Sequence, residues 1–260
     1  MTAQIRLSLA APAAEIVIDA PARRNAFNTQ MWAALPGLIA EAEAMQDAKV
    51  VILHGGGTGH FAAGADISEF ETIYADKASA GRSADTIARG LDAIEACTKP
   101  VIAAIEGACV GGGVSIALAC DIRIASEKAR FGVTPARLGL VYPAGDTRRL
   151  VSAVGVSQAK DILFTGTIFG ADRARRIGLV TETCEAGSAL GAAREKAMLI
   201  ASVSQASVRG SKQLVNRLES QAGLSDEDGR RLFVEAVCGP DFHEGYRAFL
   251  EKRSPDFPTE

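Results

Sequence analysis

The sequence predicts an α/β fold. Short apolar runs bounded by Gly and Pro alternate with segments of helical spacing, in the order β, β, α, β, α, β, α, β as far as residue 125. Apolar residues make up 48% of the 260, enough for a sizeable core. After residue 186 no strand pattern appears and helical patterns remain, so the chain divides into a core, 1–185, and a helical region, 186–260.

Ile5, Leu7 and Leu9, then Ile16, Val17 and Ile18, mark two strands with a turn near Pro12. Residues 21–28 form a loop. Asn28 or Thr29 caps a helix whose apolar positions are Met31, Leu35, Leu38, Ile39 and Ala42. Residues 50–53 are a strand ended by the glycines of 55–59. Residues 67–84, rich in small and charged side chains, read as a loop. Ile87, Leu91 and Ile94 mark a helix leading to a buried strand at Val101–Ile105. Gly111, Gly112 and Gly113 precede a small apolar helix ending at Ala119, and 122–125 is again a strand. Short helices come next, around 150–154, 158–164 and 172–177, with a last strand at 180–184. Ser225 to Asp228 and Asp241 to Glu244 resemble capping boxes. The final helix places Phe242, Tyr246, Phe249 and Leu250 on one stripe. So small and amphipathic a tail is expected to pack on the core or on another subunit.

Composition excludes several classes. A net charge of −3 without a long basic run argues against nucleic acid as a partner. No apolar run reaches the ~18 residues of a membrane helix. Five scattered cysteines, Cys97, Cys109, Cys120, Cys184 and Cys238, read as reduced residues of a cytoplasmic protein, and no cluster has metal-ligand spacing. No nucleophile elbow or P-loop is present. His54, His60 and His243 read as structural or solvent-facing.

What remains is chemistry built on backbone donors. A helix that starts in the glycine triplet directs unpaired N–H groups and a positive dipole end outward, which suits an oxygen that becomes negative during a reaction. Taken by itself, the triplet favours a tight turn with close packing. Phe61 to Ile67, after the 50–53 strand, is a second such segment, with Asp66 able to cap the segment after it.

Together these segments resemble the crotonase superfamily, the enoyl-CoA hydratase/isomerase family. The resemblance covers nearly the whole chain. It rests on Pro21, Arg24, Asn25, Ala26 and Phe27; on Phe61-Ala-Ala-Gly-Ala-Asp66; on Lys99-Pro-Val-Ile-Ala-Ala-Ile-Glu-Gly107; and on the glycine triplet. It continues through Cys120-Asp121-Ile122, Phe131-Gly132, Leu138-Gly139, Gly178-Leu179-Val180 and Phe249-Leu-Glu-Lys-Arg253. It implies a spiral of ββα repeats followed by a C-terminal helical region that builds homotrimers, often paired as hexamers. It further implies an oxyanion hole made by the N–H groups of Ala65 and Gly112, which hold the thioester oxygen of an acyl-CoA as it becomes an enolate. Arg24, Ala63, Asp66 and Ile67 match positions beside coenzyme A, and Phe249 and Lys252 match positions that reach it, often from a neighbouring subunit. The coenzyme belongs to the substrate, and no cofactor or metal is implied.

The chain departs from the family's hydratases at both usual glutamates. Ser115 stands two residues after the glycine triplet, and Pro135 stands four residues before Gly139. Neither supplies a carboxylate for acid–base work. Thr134 to Tyr142 and Asp241 to Phe257 are similar to the methylmalonyl-CoA decarboxylase branch, where a tyrosine matching Tyr142 lies near the substrate carboxylate. That branch has His at the position of Ala65 and Glu at that of Ser115. Asp146 suits a helix cap just before Thr147, the role the sequence favours; facing the pocket, it becomes a replacement acid. Glu106 is a weaker candidate. Hydration, isomerisation, decarboxylation and non-catalytic acyl-CoA binding stay open.

Overall fold

The computed structural model describes residues 4–219 and 226–257. Among the described residues the strands are β1 (Gln4–Ala10), β2 (Ala13–Asp19), β3 (Val50–His54), β4 (Val101–Ile105), β5 (Ala108–Val110), β6 (Ile122–Ser126), β7 (Arg130–Gly132), β8 (Phe169–Gly170) and β9 (Glu182–Cys184). The helices are α1 (Thr29–Ala44), α2 (Phe70–Ile73), α3 (Lys77–Ala96), α4 (Gly112–Ala119), α5 (Ala144–Thr165), α6 (Ala171–Arg176), α7 (Ala189–Ala201), α8 (Gln205–Glu219), α9 (Asp226–Cys238) and α10 (Pro240–Glu251).

The larger sheet has the order β1-β2-β3-β4-β6-β9 and is parallel except for the β1–β2 hairpin. Its central strands are apolar on both faces because both are covered. Val51, Leu53, Ala103, Ile105 and Ala125 face the main core, with Leu35, Ile39, Leu91, Ile94 and Leu150 from the helices. The alternate residues Val50, Ile52, Ile102, Ala104 and Ile124 pack against Ala189, Ala193 and Ala197 of α7. Each fully buried Ile or Leu here contributes roughly 1.5–3 kcal/mol.

The second sheet, β5-β7-β8, supplies the other strand of each repeat. β4, β5 and α4 form one ββα turn, and β6, β7 and α5 form the next. Isolated bridges extend the pattern towards the N-terminus: Ala62 pairs with Cys109 and Phe27 with Ala65. Thus β2, Phe27 and α1 make one turn, and β3, Ala62 and α3 another. The expected ββα spiral is the architecture of the chain.

Several expectations change. The 67–84 loop is largely helical: a short 3-10 turn and α2 lead to α3, which opens with a reciprocal Asp76–Ser79 capping box. Its first turns are mostly exposed and carry no apolar stripe. The short helices at 150–154 and 158–164 are one element, α5, kinked at Gly155, where φ is 76°. Asp241 does not open a capping box. Gly239 is the N-cap of α10, Pro240 occupies the first turn, and Asp241 accepts the Ser204 hydroxyl instead. The Ser225 box lies outside the described residues. The first helix of the tail packs on the core as expected: α7 covers a face of the main sheet and Arg194 holds Glu15 through two hydrogen bonds, at 2.6 and 2.9 Å.

Candidate active site

Two backbone segments meet at the N-terminus of α4. Phe27 N–H donates to Gly64 O at 2.7 Å, and Asp66 N–H donates to Phe27 O at 2.8 Å. These bonds hold the Ala65 residue between them with its own N–H on the far edge. Gly64 takes φ of 101°, a left-handed conformation that a side chain would strain. A methyl built on Gly64 would lie 3.7 Å from the Gly112 nitrogen, so the Gly64–Ala65 peptide and the start of α4 are neighbours. Gly113 permits this approach: a methyl there would come within 2.2 Å of Ala62 O. Among the described residues, neither the Ala65 nor the Gly112 N–H has a hydrogen-bond partner. Two unpaired donors, one at a helix N-terminus, make an anion-favouring point.

One helical turn along α4, Ser115 is buried. Its Oγ lies 2.8 Å from the Tyr142 hydroxyl and donates to Asp146 Oδ2 at 2.8 Å. Asp146 is 3% exposed. It does not cap α5, whose N-cap is Pro143 without a side-chain bond. The helix-cap role favoured from sequence therefore fails, because the carboxyl turns inward to Ser115 and to Arg149 Nη1 at 3.3 Å. Burial pushes the Asp146 carboxyl above the ordinary range, and the Ser115 hydrogen bond and Arg149 charge offset this in part. Burial, then the nearby Asp146 charge, also raises the Tyr142 phenol. Arg149 is itself buried and bonds Glu95 and Asp92, both at 2.6 Å, while Arg148 bonds Glu95 at 2.8 Å. Arg149 is the site residue that sequence reasoning missed. Its signal was a second Arg one turn after Asp146, opposite acidic residues of α3 that lie 54 and 57 residues away in sequence.

Other candidates lie elsewhere. Glu106 accepts Ala189 N–H at 3.0 Å and so starts α7. Pro135 opens a 3-10 turn, Pro135–Leu138, with no proton to move. His54 Nδ1 accepts Gly56 N–H at 3.1 Å, His60 Nδ1 accepts Ala108 N–H at 3.2 Å, and His243 is exposed on α10. Asp66 pairs with Arg23 and caps a 3-10 turn through Ser68 N–H at 3.0 Å. Burial opposes its ionisation, but the Ser68 bonds and the Arg23 charge outweigh it and hold the carboxyl below the usual range.

Arg24 is exposed with φ of 51°, and its carbonyl accepts Ala63 N–H at 3.0 Å. Ile67 is exposed beside Asp66. Arg24, Ala63, Asp66 and Ile67 thus border the Ala65 peptide. Phe249 and Lys252 are not joined to that group by any hydrogen bond or ion pair among the described residues. Phe249 sits on α10, which packs against α9, and Lys252 is its C-cap; Phe249 is 81% exposed. No group of His, Cys, Asp and Glu among the described residues has the arrangement of a metal site. No helix among them is long and apolar enough to cross a membrane.

The comparisons with known proteins agree with this geometry. A family profile described as Enoyl-CoA hydratase/isomerase matches residues 10–260. The chain is 37% identical to the short-chain-enoyl-CoA hydratase of Clostridium acetobutylicum over 244 residues, 92% of each chain. It is 36% identical to the 2,3-dehydroadipyl-CoA hydratase of Escherichia coli over 245 residues, 93% of each. A crystal structure of an enoyl-CoA hydratase/isomerase family protein from Hyphomonas neptunium superposes with a TM-score of 0.95 at 58% identity, covering 98% of both chains. With its spiral of ββα turns, its facing backbone donors and these relatives, the chain belongs to the enoyl-CoA hydratase/isomerase family.

Proposed function

We propose that the chain stabilises the enolate of an acyl-CoA thioester between the N–H groups of Ala65 and Gly112, and moves the α-proton with Asp146 through Ser115 and Tyr142. The observation that carries this reading is the buried Tyr142–Ser115–Asp146 chain of hydrogen bonds, one helical turn beyond Gly112. When Asp146 holds a proton it donates to Ser115, Ser115 donates to Tyr142, and the Tyr142 hydroxyl is left to donate to the enolate carbon. The product is a protonated α-carbon and an Asp146 carboxylate beside Arg149. The same steps in reverse remove a proton and regenerate the acid. Asp146 thereby takes over acid–base work from positions where the family's hydratases carry glutamates and this chain has Ser115 and Pro135.

Relatives named as hydratases favour addition of water to an enoyl-CoA as the nominal reaction. A second reading, decarboxylation, draws on the raised Asp146 carboxyl: a network that keeps its proton is a donor, and loss of CO₂ needs a donor but no base. Arg24, Ala63, Asp66 and Ile67 are assigned to coenzyme A, with Phe249 and Lys252 reaching it from a neighbouring subunit of a homotrimer or hexamer. The exposed Phe242, Tyr246, Phe249 and Leu250 face of α10 supports such an assembly. Incubation with enoyl-, hydroxyacyl-, malonyl- and methylmalonyl-CoA, followed by mass spectrometry, tests the reading. Gain of water identifies a hydratase and loss of CO₂ a decarboxylase. Tight binding with no change of mass in any thioester and no α-proton exchange in D₂O identifies a non-catalytic binder and overturns the proton-transfer proposal.

A further inference from the structure

Trp32 is the one tryptophan of the chain. It is 3% exposed, and its Nε1 has no hydrogen-bond partner among the described residues. Buried indole N–H groups are ordinarily paired, so an orphan calls for an explanation. Its ring packs on Phe27 with centroids 4.7 Å apart. A methyl built on Gly112 would lie 3.0 Å from Cζ2 of Trp32. Cζ2 is two bonds from Nε1, so the nitrogen-bearing edge of the indole lies beside the backbone donors of the candidate site. Trp32 and Ala65 line one narrow cleft together with Ile73, Thr86 and Ile87, and its free volume of about 10 Å³ is the room of a single oxygen-sized group.

The two threonine hydroxyls of this cleft are engaged, and its unpaired Ala65 N–H belongs to the backbone-donor site. The Thr29 hydroxyl donates to Glu69 at 2.7 Å, and the Thr86 hydroxyl donates to Arg82 O at 2.8 Å. Glu69 also lines the cleft and disfavours a carboxylate at this end of the acyl chain.

We infer that Trp32 is a specificity residue that donates its indole N–H to a neutral oxygen, a hydroxyl or a ketone, on the acyl chain of the substrate. The inference rests on the acyl-CoA reading above. A site built to pair a polar group rejects the analogue lacking it more strongly than an apolar pocket rejects an extra group, because its own donor is then left unpaired.

The test uses the whole chain labelled with ¹⁵N at the indole, which gives a single side-chain resonance. It is titrated with hexanoyl-CoA and with its 4- and 5-hydroxy and 4- and 5-oxo analogues, and affinities are taken by calorimetry. At least one oxygenated analogue is expected to shift the Trp32 N–H resonance downfield and to bind about tenfold tighter than hexanoyl-CoA, and Trp32→Phe is expected to abolish that ratio. Binding of all analogues with equal affinity and no downfield shift overturns the Trp32 role and leaves the acyl-CoA reading standing. Failure of any acyl-CoA to bind overturns both. The resonance of the native chain decides the matter even where Trp32→Phe does not fold.

Discussion

The Ser115 hydroxyl donates to the Asp146 carboxylate across 2.8 Å, and so ties the helix that begins at the glycine triplet to the first turn of α5. Both residues are buried, Ser115 three residues after the start of α4 and Asp146 two after the start of α5. The contact joins the backbone donors to a carboxyl able to exchange protons.

Asp146→Asn keeps the shape and removes the acid. It is expected to lower kcat for the thioester that is turned over by at least about 100-fold, the usual scale of general acid–base catalysis. Coenzyme A affinity is expected to stay within about twofold. Steady-state kinetics beside calorimetry separate the two.

Tyr142→Phe and Ser115→Ala each break the same relay. Each is expected to cost about 10- to 100-fold in kcat, and the double variant little more than the worse single one, since groups acting as a unit are non-additive. Full additivity in the four rate constants would show that the two hydroxyls work separately.

The Asp146 carboxyl is raised by burial, which sets the sign of a pH effect on stability. Below about pH 4 the acid is protonated in both folded and unfolded chains, and its folded-state preference for the proton is fully expressed. As pH rises through the higher folded value, that contribution is lost. Melting temperatures of Asp146→Asn minus those of the native chain are therefore expected to increase from pH 4 to neutrality. A flat difference would mean that the carboxyl is not raised.

Arg149 has a buried guanidinium that holds Asp146, Glu95 and Asp92 together. Arg149→Met is expected to destabilise by about 3–5 kcal/mol, because carboxylates lose their buried partner. It removes a positive charge that lowers the Asp146 pKa, so the pH–rate profile is expected to move to higher pH. Arg149→Lys is expected to restore part of that displacement.

Gly113→Ala places a methyl 2.2 Å from Ala62 O, where neither backbone can yield cheaply. Denaturant melts are expected to show a loss of about 1–3 kcal/mol. Ala62 lies three residues before Ala65, so activity is expected to fall more than bulk stability implies.

Much of the larger sheet was legible because β2, β3 and β4 carry the apolar runs 16–18, 50–53 and 101–105, and Asn28 caps α1 with a 2.9 Å bond to Met31 N–H as its residue type suggested. The second sheet was not, since β5, β7 and β8 have three residues or fewer and no period shows at that length. α7 was set apart from the core because its buried face is alanine, which gives only a faint stripe. The backbone-donor segments stood out through their glycines. The direction in which Asp146 points did not, because a carboxyl in a first helical turn caps the helix or turns inward with the same sequence, and only the packing of α4 on α5 decides.

The most direct test is α-proton exchange of a saturated thioester. Butyryl-CoA is incubated in D₂O with the native chain and with Asp146→Asn, and deuterium at the carbon beside the thioester carbonyl is followed by NMR. Enolate formation between Ala65 and Gly112 with Asp146 as the proton carrier requires exchange by the native chain and at least about 100-fold slower exchange by the variant. Equal exchange rates in the two proteins, or none by a native chain that binds butyryl-CoA, would contradict it.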